Sequence, residues 1–209
     1  MTETVAIIGA GPLGRRLALA AARAGFHVLL EDVMPANLRH AQEYIREQLG
    51  PAGQELAGQG FSPDISRPGP AGVLTPELCF SENSSVTFVS TIEDAVRDAD
   101  LAIDCVPDEL ESKLEILWLL DRMGPPRTVL ATPTTRLSIA DLASCTCRPE
   151  KCIAIAQEAA SLTASAETQI LLRTTSRTSP ETVALVGRFW QRLGFTPTFA
   201  PDEAEQVSN

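Results

Sequence analysis

The sequence predicts a single α/β domain built on a doubly wound, mostly parallel sheet, and three observations carry that prediction. Apolar runs short enough to be buried strands alternate with helical patterns along most of the chain. The first run, Val5 to Ile8, enters a turn holding Gly9, Gly11 and Gly14, and an alanine-rich helical segment, Leu17 to Ala24, follows at once. The second run, His27 to Val33, carries the acids Glu31 and Asp32 near its end.

Strand, glycine turn and helix in that order make a phosphate cradle. Gly9 permits the tight turn, Gly11 lets a pyrophosphate approach the backbone, and Gly14 lets the helix pack closely on the strand. Pro12 and Leu13 lie between them in the same cofactor-binding turn. The free N–H groups of the helix start then face the phosphates, favoured by the helix dipole. Asp32 stands 18 positions beyond Gly14, close to the roughly 20 expected of an acid that hydrogen-bonds an adenine ribose. Together these predict a Rossmann-type NAD(P)-binding domain, with NAD preferred over NADP because Glu31 and Asp32 would repel a 2′-phosphate.

Composition narrows the classes of partner. The 209 residues are enough for a substantial core, and 44% hydrophobic with 21% charged residues describes a soluble globular chain. A net charge of −10 argues against nucleic acid or an anionic membrane. No apolar run approaches the roughly 20 residues of a membrane span, and the N-terminus opens into a strand without a signal-peptide pattern, so the expected location is cytoplasmic. Cys79, Cys105, Cys145, Cys147 and Cys152 are an odd set, read as buried thiols in a reducing compartment. Cys145 and Cys147 are not spaced as a CxxC pair, and both histidines lie far upstream, so no metal site is expected.

The remaining elements follow in order. Pro35 suits the first turn of a helix through about Gln48, with Leu38, Ala41, Tyr44, Ile45 and Leu49 at helical spacing. Gly and Pro then crowd the chain from Gly50 to Pro76, so residues 50–85 read as an irregular excursion outside the sheet, with a short helix from Thr75. Val86 to Val89 is a strand, and Thr91 with Asp94 starts a helix through Arg97. Leu101 to Val106 is a strand, apolar except for Asp104, ended by Pro107. Leu110 to Met123 is an amphipathic helix with Leu114, Leu117, Trp118 and Asp121 on one face, stopped by Pro125 and Pro126. Strand Thr128 to Ala131, a short helix capped by Ser138, and strands Lys151 to Ala156 and Gln169 to Arg173 come next. Ser179-Pro180-Glu181 opens a last helix to Leu193, stopped at Gly194. The domain thus spans 1–200, and 201–209 is a tail.

Four blocks, VAIIGAGPLGRRLALAAARAGFHVLLEDV, TIEDAVRDADLAIDCVPDELESK, TVLATPTTRLSIADLASCTCRPEKCIAI and SPETVALVGRFWQRLGFTP, resemble the nicotinamide-binding domain of 3-hydroxyacyl-CoA dehydrogenases. The resemblance implies oxidation of a 3-hydroxyacyl-CoA or related hydroxy acid in fatty-acid metabolism. It implies that Asp32 holds the adenine ribose, that Asp108 stands where the family has a glutamate near the cofactor, and that Lys113 matches a lysine close to the nicotinamide ribose. It also implies a homodimer or a partner chain.

The departures bear on chemistry. The family's catalytic histidine position falls on Ala156, followed by Gln157 and Glu158, and the segment matching its substrate-contacting serine reads Pro133, Thr134, Thr135, Arg136. Thr135 keeps a hydroxyl there, and Arg136 reads as a surface arginine or as a binder of an anionic ligand. A general base contributes on the order of a hundred- to ten-thousandfold to such a reaction, so activity of this chain alone is expected to be impaired or absent. Glu158 or Asp104 as a substitute base would mean another small hydroxy or oxo acid. The alternative is a non-catalytic NAD(H)-sensing or regulatory module. The family's helical second domain has no counterpart, and the acidic stretch after Pro201 favours an end at the sheet domain.

Overall fold

The computed structural model describes residues 3–58, 77–81, 84–156 and 169–202. Its elements run β1 (Thr4–Ile8), α1 (Pro12–Arg23), β2 (His27–Glu31), α2 (Pro35–Gly58), β3 (Glu77–Ser81), β4 (Ser84–Val89), α3 (Ile92–Val96) and β5 (Leu101–Asp104). There follow α4 (Leu110–Met123), β6 (Val129–Pro133), α5 (Ile139–Ala143), β7 (Cys152–Ile155), β8 (Gln169–Thr174), α6 (Pro180–Arg192) and β9 (Thr196–Pro201). The strands form one sheet in the order β3-β4-β2-β1-β5-β6-β7-β8-β9. All neighbours are parallel except β3 with β4 and β7 with β8. The doubly wound, mostly parallel sheet expected from the sequence is present.

Both faces of the sheet are covered, which is why its central strands read as unbroken apolar runs. Val5 and Ile7 of β1 pack with Leu17, Phe26, Phe189 and Trp190 on one face. Ala6 and Ile8 pack with Leu117, Leu120 and Leu142 on the other. Three helices start where local chemistry dictates: the hydroxyls of Thr91, Ser138 and Ser179 accept from the backbone N–H three residues on, at 3.2 Å each, an arrangement worth about 1 kcal/mol apiece.

Three expectations need correction. The second helix does not stop near Gln48 but runs to Gly58, through Pro51. The irregular stretch is shorter than 50–85, because Glu77–Ser81 is strand β3, antiparallel to β4, with Leu78 and Phe80 packed on the core. The predicted helix start at Thr75 lies outside the described residues, and from Glu77 the backbone is extended. The third correction concerns the end of the chain, where Thr196–Pro201 pairs over six positions with β8. Pro197 and Pro201 mask that strand in the sequence, but an edge strand tolerates proline on its unpaired side. Trp118 also leaves the core: it is 46% exposed, with the Arg122 guanidinium 4.8 Å from its ring centre.

After β4 the chain crosses by α3 to β5 on the opposite side of β1. The reversal opens a crevice at the carboxyl ends of β1 and β5, where an open α/β sheet receives its ligands. Among the described residues no helix is long and apolar enough to cross a membrane.

Candidate functional site

A cleft of about 630 Å³ occupies that crevice, lined by the loops after β1, β2, β5 and β6. Gly9, Gly11, Pro12, Leu13, Asp32, Asp108, Thr135 and Arg136 all border it, so the structure gathers residues spread over more than half of the chain.

The glycine turn is set by three different constraints. Gly9 sits at φ +102°, a region that side-chain-bearing residues avoid, and its N–H donates to the Glu31 carbonyl at 2.8 Å. A Cβ on Gly14 would lie 1.8 Å from the Gly9 carbonyl oxygen, so α1 can approach β1 only without a side chain there. Gly11 is the informative one. A Cβ at that position would meet nothing within 4 Å, so the protein's own packing does not demand glycine, and the open space suits a pyrophosphate against the backbone. The first turn of α1 carries no acidic side chain to oppose an anion.

Asp32 is 8% exposed and held in place by its neighbours. Its Oδ2 accepts from the Ala10 N–H at 2.9 Å and the Asn37 amide at 3.0 Å, and its Oδ1 from the Met34 N–H at 2.8 Å. The carboxylate thereby faces the cleft in a preset orientation, as a ribose acceptor requires. Burial, and secondarily repulsion from Asp32, push the Glu31 carboxyl up to about 7.

Lys113 is placed differently from the expectation. It does not border the cleft but is 1% exposed on α4, with its Nζ 2.5 Å from Asp104 Oδ1. Its direction along the helix carries it under the end of β5, one residue before cleft-lining Cys105. Burial raises the Asp104 carboxyl, and the Lys113 charge opposes that rise. A buried charge without such a partner would be prohibitively costly, so the pair is structural floor. Asp104 is fully buried and thus closed to a substrate proton. Burial likewise raises the Cys105 thiol, which keeps it protonated and unreactive.

At the far end, the Thr135 N–H donates to Asp108 Oδ2 at 3.4 Å and Arg136 Nη2 donates to the Asp108 carbonyl at 3.2 Å. Asp108 Oδ1 is buried with no hydrogen-bond partner among the described residues, an acceptor still available to a ligand donor. Ala156 directly follows β7, its N–H donating to the Leu171 carbonyl at 2.8 Å, and it offers only a methyl group. Glu158 lies outside the described residues. Neither histidine reaches the cleft: His27 begins β2 at the opposite edge, Nδ1 2.6 Å from Ser85 Oγ, and His40 is exposed on α2. Among the described residues no cluster of three His, Cys, Asp or Glu could hold a metal.

Sequence reasoning missed two residues that shape this end, Arg173 and Asp202. Arg173 is 8% exposed and donates from Nη2 to the Thr134 carbonyl at 2.9 Å and the Leu137 carbonyl at 3.4 Å. Asp202, 1% exposed, accepts from Ser138 Oγ at 2.7 Å and the Ala140 N–H at 3.0 Å, and lies 3.9 Å from the Arg173 guanidinium. A charge inside the apolar run QILLRT was a usable signal for Arg173. Nothing local marked Asp202.

A family model described as the NAD-binding domain of 3-hydroxyacyl-CoA dehydrogenase matches residues 4–203. The chain is 29% identical over 151 residues to a probable 3-hydroxybutyryl-CoA dehydrogenase of Bacillus subtilis, covering 72% of this chain and 47% of that protein. It is 29% identical over 197 residues to 5-formyl-3-hydroxy-2-methylpyridine 4-carboxylate 5-dehydrogenase of Mesorhizobium japonicum, covering 94% of this chain and 57% of that one. The chain therefore spans about half the length of these relatives. The crystal structure of (S)-3-hydroxybutyryl-CoA dehydrogenase from Ralstonia eutropha shares the fold, with a TM-score of 0.73 at 20% identity over 97% of this chain and 65% of that one.

Proposed function

The chain belongs to the family of NAD-binding domains of 3-hydroxyacyl-CoA dehydrogenases, with NAD as its cofactor, and from that premise we propose that the cleft after β1, β2, β5 and β6 holds NAD(H) while 3-hydroxyacyl-CoA oxidation by this chain alone is strongly impaired. The observation that carries the cofactor half is the empty space over Gly11 beside a preset Asp32 carboxylate. Gly9, Gly11, Pro12, Leu13 and Gly14 form the turn under the pyrophosphate, Asp32 takes the adenine ribose, and Asp108 offers its unpartnered Oδ1 near the far end of the cleft. When bound, NAD supplies hydride acceptance. This chain's residues contribute orientation, and the Asp32 carboxylate excludes a 2′-phosphate.

The impairment rests on Ala156. Oxidation of a secondary alcohol needs the hydroxyl proton removed, and a methyl group removes none. Thr135 can hydrogen-bond a substrate oxygen, and the carboxylate beside it, Asp108, already accepts from its N–H at 3.4 Å; no histidine stands there. The substrate classes in the relatives' names, a 3-hydroxyacyl thioester and a hydroxypyridine carboxylate, are the candidates for this cleft, in a cytoplasmic setting. Ala156 also favours a second reading, an NAD(H)-sensing or partner module.

Tryptophan fluorescence titrated with NADH tests the cofactor half. Saturable binding is expected, weakened about 10- to 100-fold in Asp32→Ala, with discrimination against NADPH reduced in the same variant. No binding by the intact protein overturns it. Acetoacetyl-CoA reduction tests the other half: turnover is expected to be absent or slow and to rise in Ala156→His, whereas brisk wild-type turnover would refute the argument from the missing base.

A further inference from the structure

The Pro133–Leu137 segment is held more firmly than an exposed loop needs to be. The Thr134 N–H donates to the Ile155 carbonyl at 3.0 Å, and its own hydroxyl accepts from the Leu137 N–H at 3.0 Å and the Arg136 N–H at 3.4 Å. From below, the buried Arg173 grips the Thr134 and Leu137 carbonyls, and Asp202 fixes Ser138 and Ala140 just beyond. Apart from the Arg136 N–H, all of this bonding engages the residues that flank Thr135 and Arg136. Those two side chains project, exposed, from a rigid shelf into the cleft.

Arg136 is the one cation among the described residues lining that cleft, and among the described residues it makes no ion pair; its Nη2 contact is to a neutral carbonyl. In a chain of net charge −10, a preorganised, unpaired guanidinium at the mouth of a binding cleft is a recognition element for an anion. The Asp108 carboxylate beside it selects which anion. A dianionic phosphate would meet that negative charge, whereas a carboxylate carries a single charge and matches the planar fork of the guanidinium with two parallel N–H···O bonds. The Thr135 hydroxyl is a further donor on the same shelf.

Resting on the reading of the cleft as an NAD(H) site, we propose that Thr135 and Arg136 form a carboxylate-recognition corner, and that the second ligand of this cleft is a small oxo- or hydroxycarboxylic acid with its carboxylate free. Arg173 acts as a positioning residue, through the shelf.

The test uses the full chain saturated with NADH and titrated calorimetrically with acetoacetate, methyl acetoacetate, inorganic phosphate and acetoacetyl-CoA. Acetoacetate is expected to bind at least about tenfold more tightly than its methyl ester, in which a methyl group on one carboxyl oxygen removes the charge. Arg136→Ala should abolish that preference, and Arg136→Lys should retain part of it, since the charge remains but the fork is lost. Equal binding of acid and ester, or acetoacetate affinity unchanged in Arg136→Ala, overturns the proposal. So does Arg136-dependent binding of phosphate or acetoacetyl-CoA without any of acetoacetate. Failure of the wild type to take up NADH in the preliminary titration would remove the cofactor reading and this inference together; NADH uptake with Arg136-independent acetoacetate binding removes this inference alone.

Discussion

The two ends of the cleft are built by different kinds of contact. At the near end, the turn from Gly9 to Gly14 and the carboxylate of Asp32 come from one strand-helix-strand unit, and the bond that joins them spans 22 positions from Ala10 to Asp32. At the far end, the wall from Pro133 to Leu137 is held by Arg173, 39 positions from Thr134, and by Asp202, 64 positions from Ser138. A site made inside one βαβ unit forms with that unit. A site held by the last strands of the sheet exists only once the whole sheet has assembled, and its geometry can be altered from a distance.

The buried pair beneath both ends gives the largest expected effect. Lys113→Met leaves Asp104 buried without its partner and should lower stability by about 3–5 kcal/mol in urea unfolding, with both ends of the cleft loosened together. Adding Asp104→Leu in the same chain should recover most of that loss, because the cost lies in the stranded charge. A double variant as unstable as the single one would show that the pair does more than neutralise itself.

Arg173→Met separates the two ends. Two carbonyls lose their donor and Asp202 loses its nearest cation, for a loss of about 2–3 kcal/mol. Amide hydrogen exchange should quicken at Arg136 and Leu137 while Gly9 and Ala10 keep their protection. Equal loosening at both ends would erase the distinction drawn above.

The smallest effect is electrostatic and belongs to the near end. Glu31 binds its proton more tightly in the folded protein, at about 7, than at its ordinary 4.5. Its contribution to stability is therefore fully present below about pH 4.5 and is lost as pH rises through 7. Wild type should lose about 1–2 kcal/mol between pH 5 and 8 relative to Glu31→Gln, whose amide does not titrate. Parallel pH profiles for the two proteins would show that Glu31 is not held in the protonated form.

The same contrast explains how much could be read in advance. Gly9, Gly11, Gly14 and Asp32 were legible because each answers a constraint that acts within a few residues: a positive φ, an open approach, a helix-strand contact, an acid at a strand end. The helix caps at Thr91, Ser138 and Ser179 were legible for the same reason. Lys113 was not legible as a buried residue, since which side of α4 faces β5 depends on packing. β3 and β9 were hidden because Gly and Pro around them signal breaks, and only pairing at the sheet edges makes those segments strands. Asp202, within what reads as an acidic tail, became a buried anchor through contacts with residues more than 60 positions away.

By itself, then, the sequence determined the doubly wound α/β core, the Gly9–Gly14 turn, the acid Asp32 at the strand end and the absence of a histidine at position 156, because short-range sterics and apolar patterning specify these. Tertiary structure decided the far wall of the cleft. Its anchors, the donor Arg173 on β8 and the acceptor Asp202 just past β9, meet Thr134, Leu137 and Ser138 only when β8 and β9 complete the sheet. Residues so far apart in the chain share no local pattern.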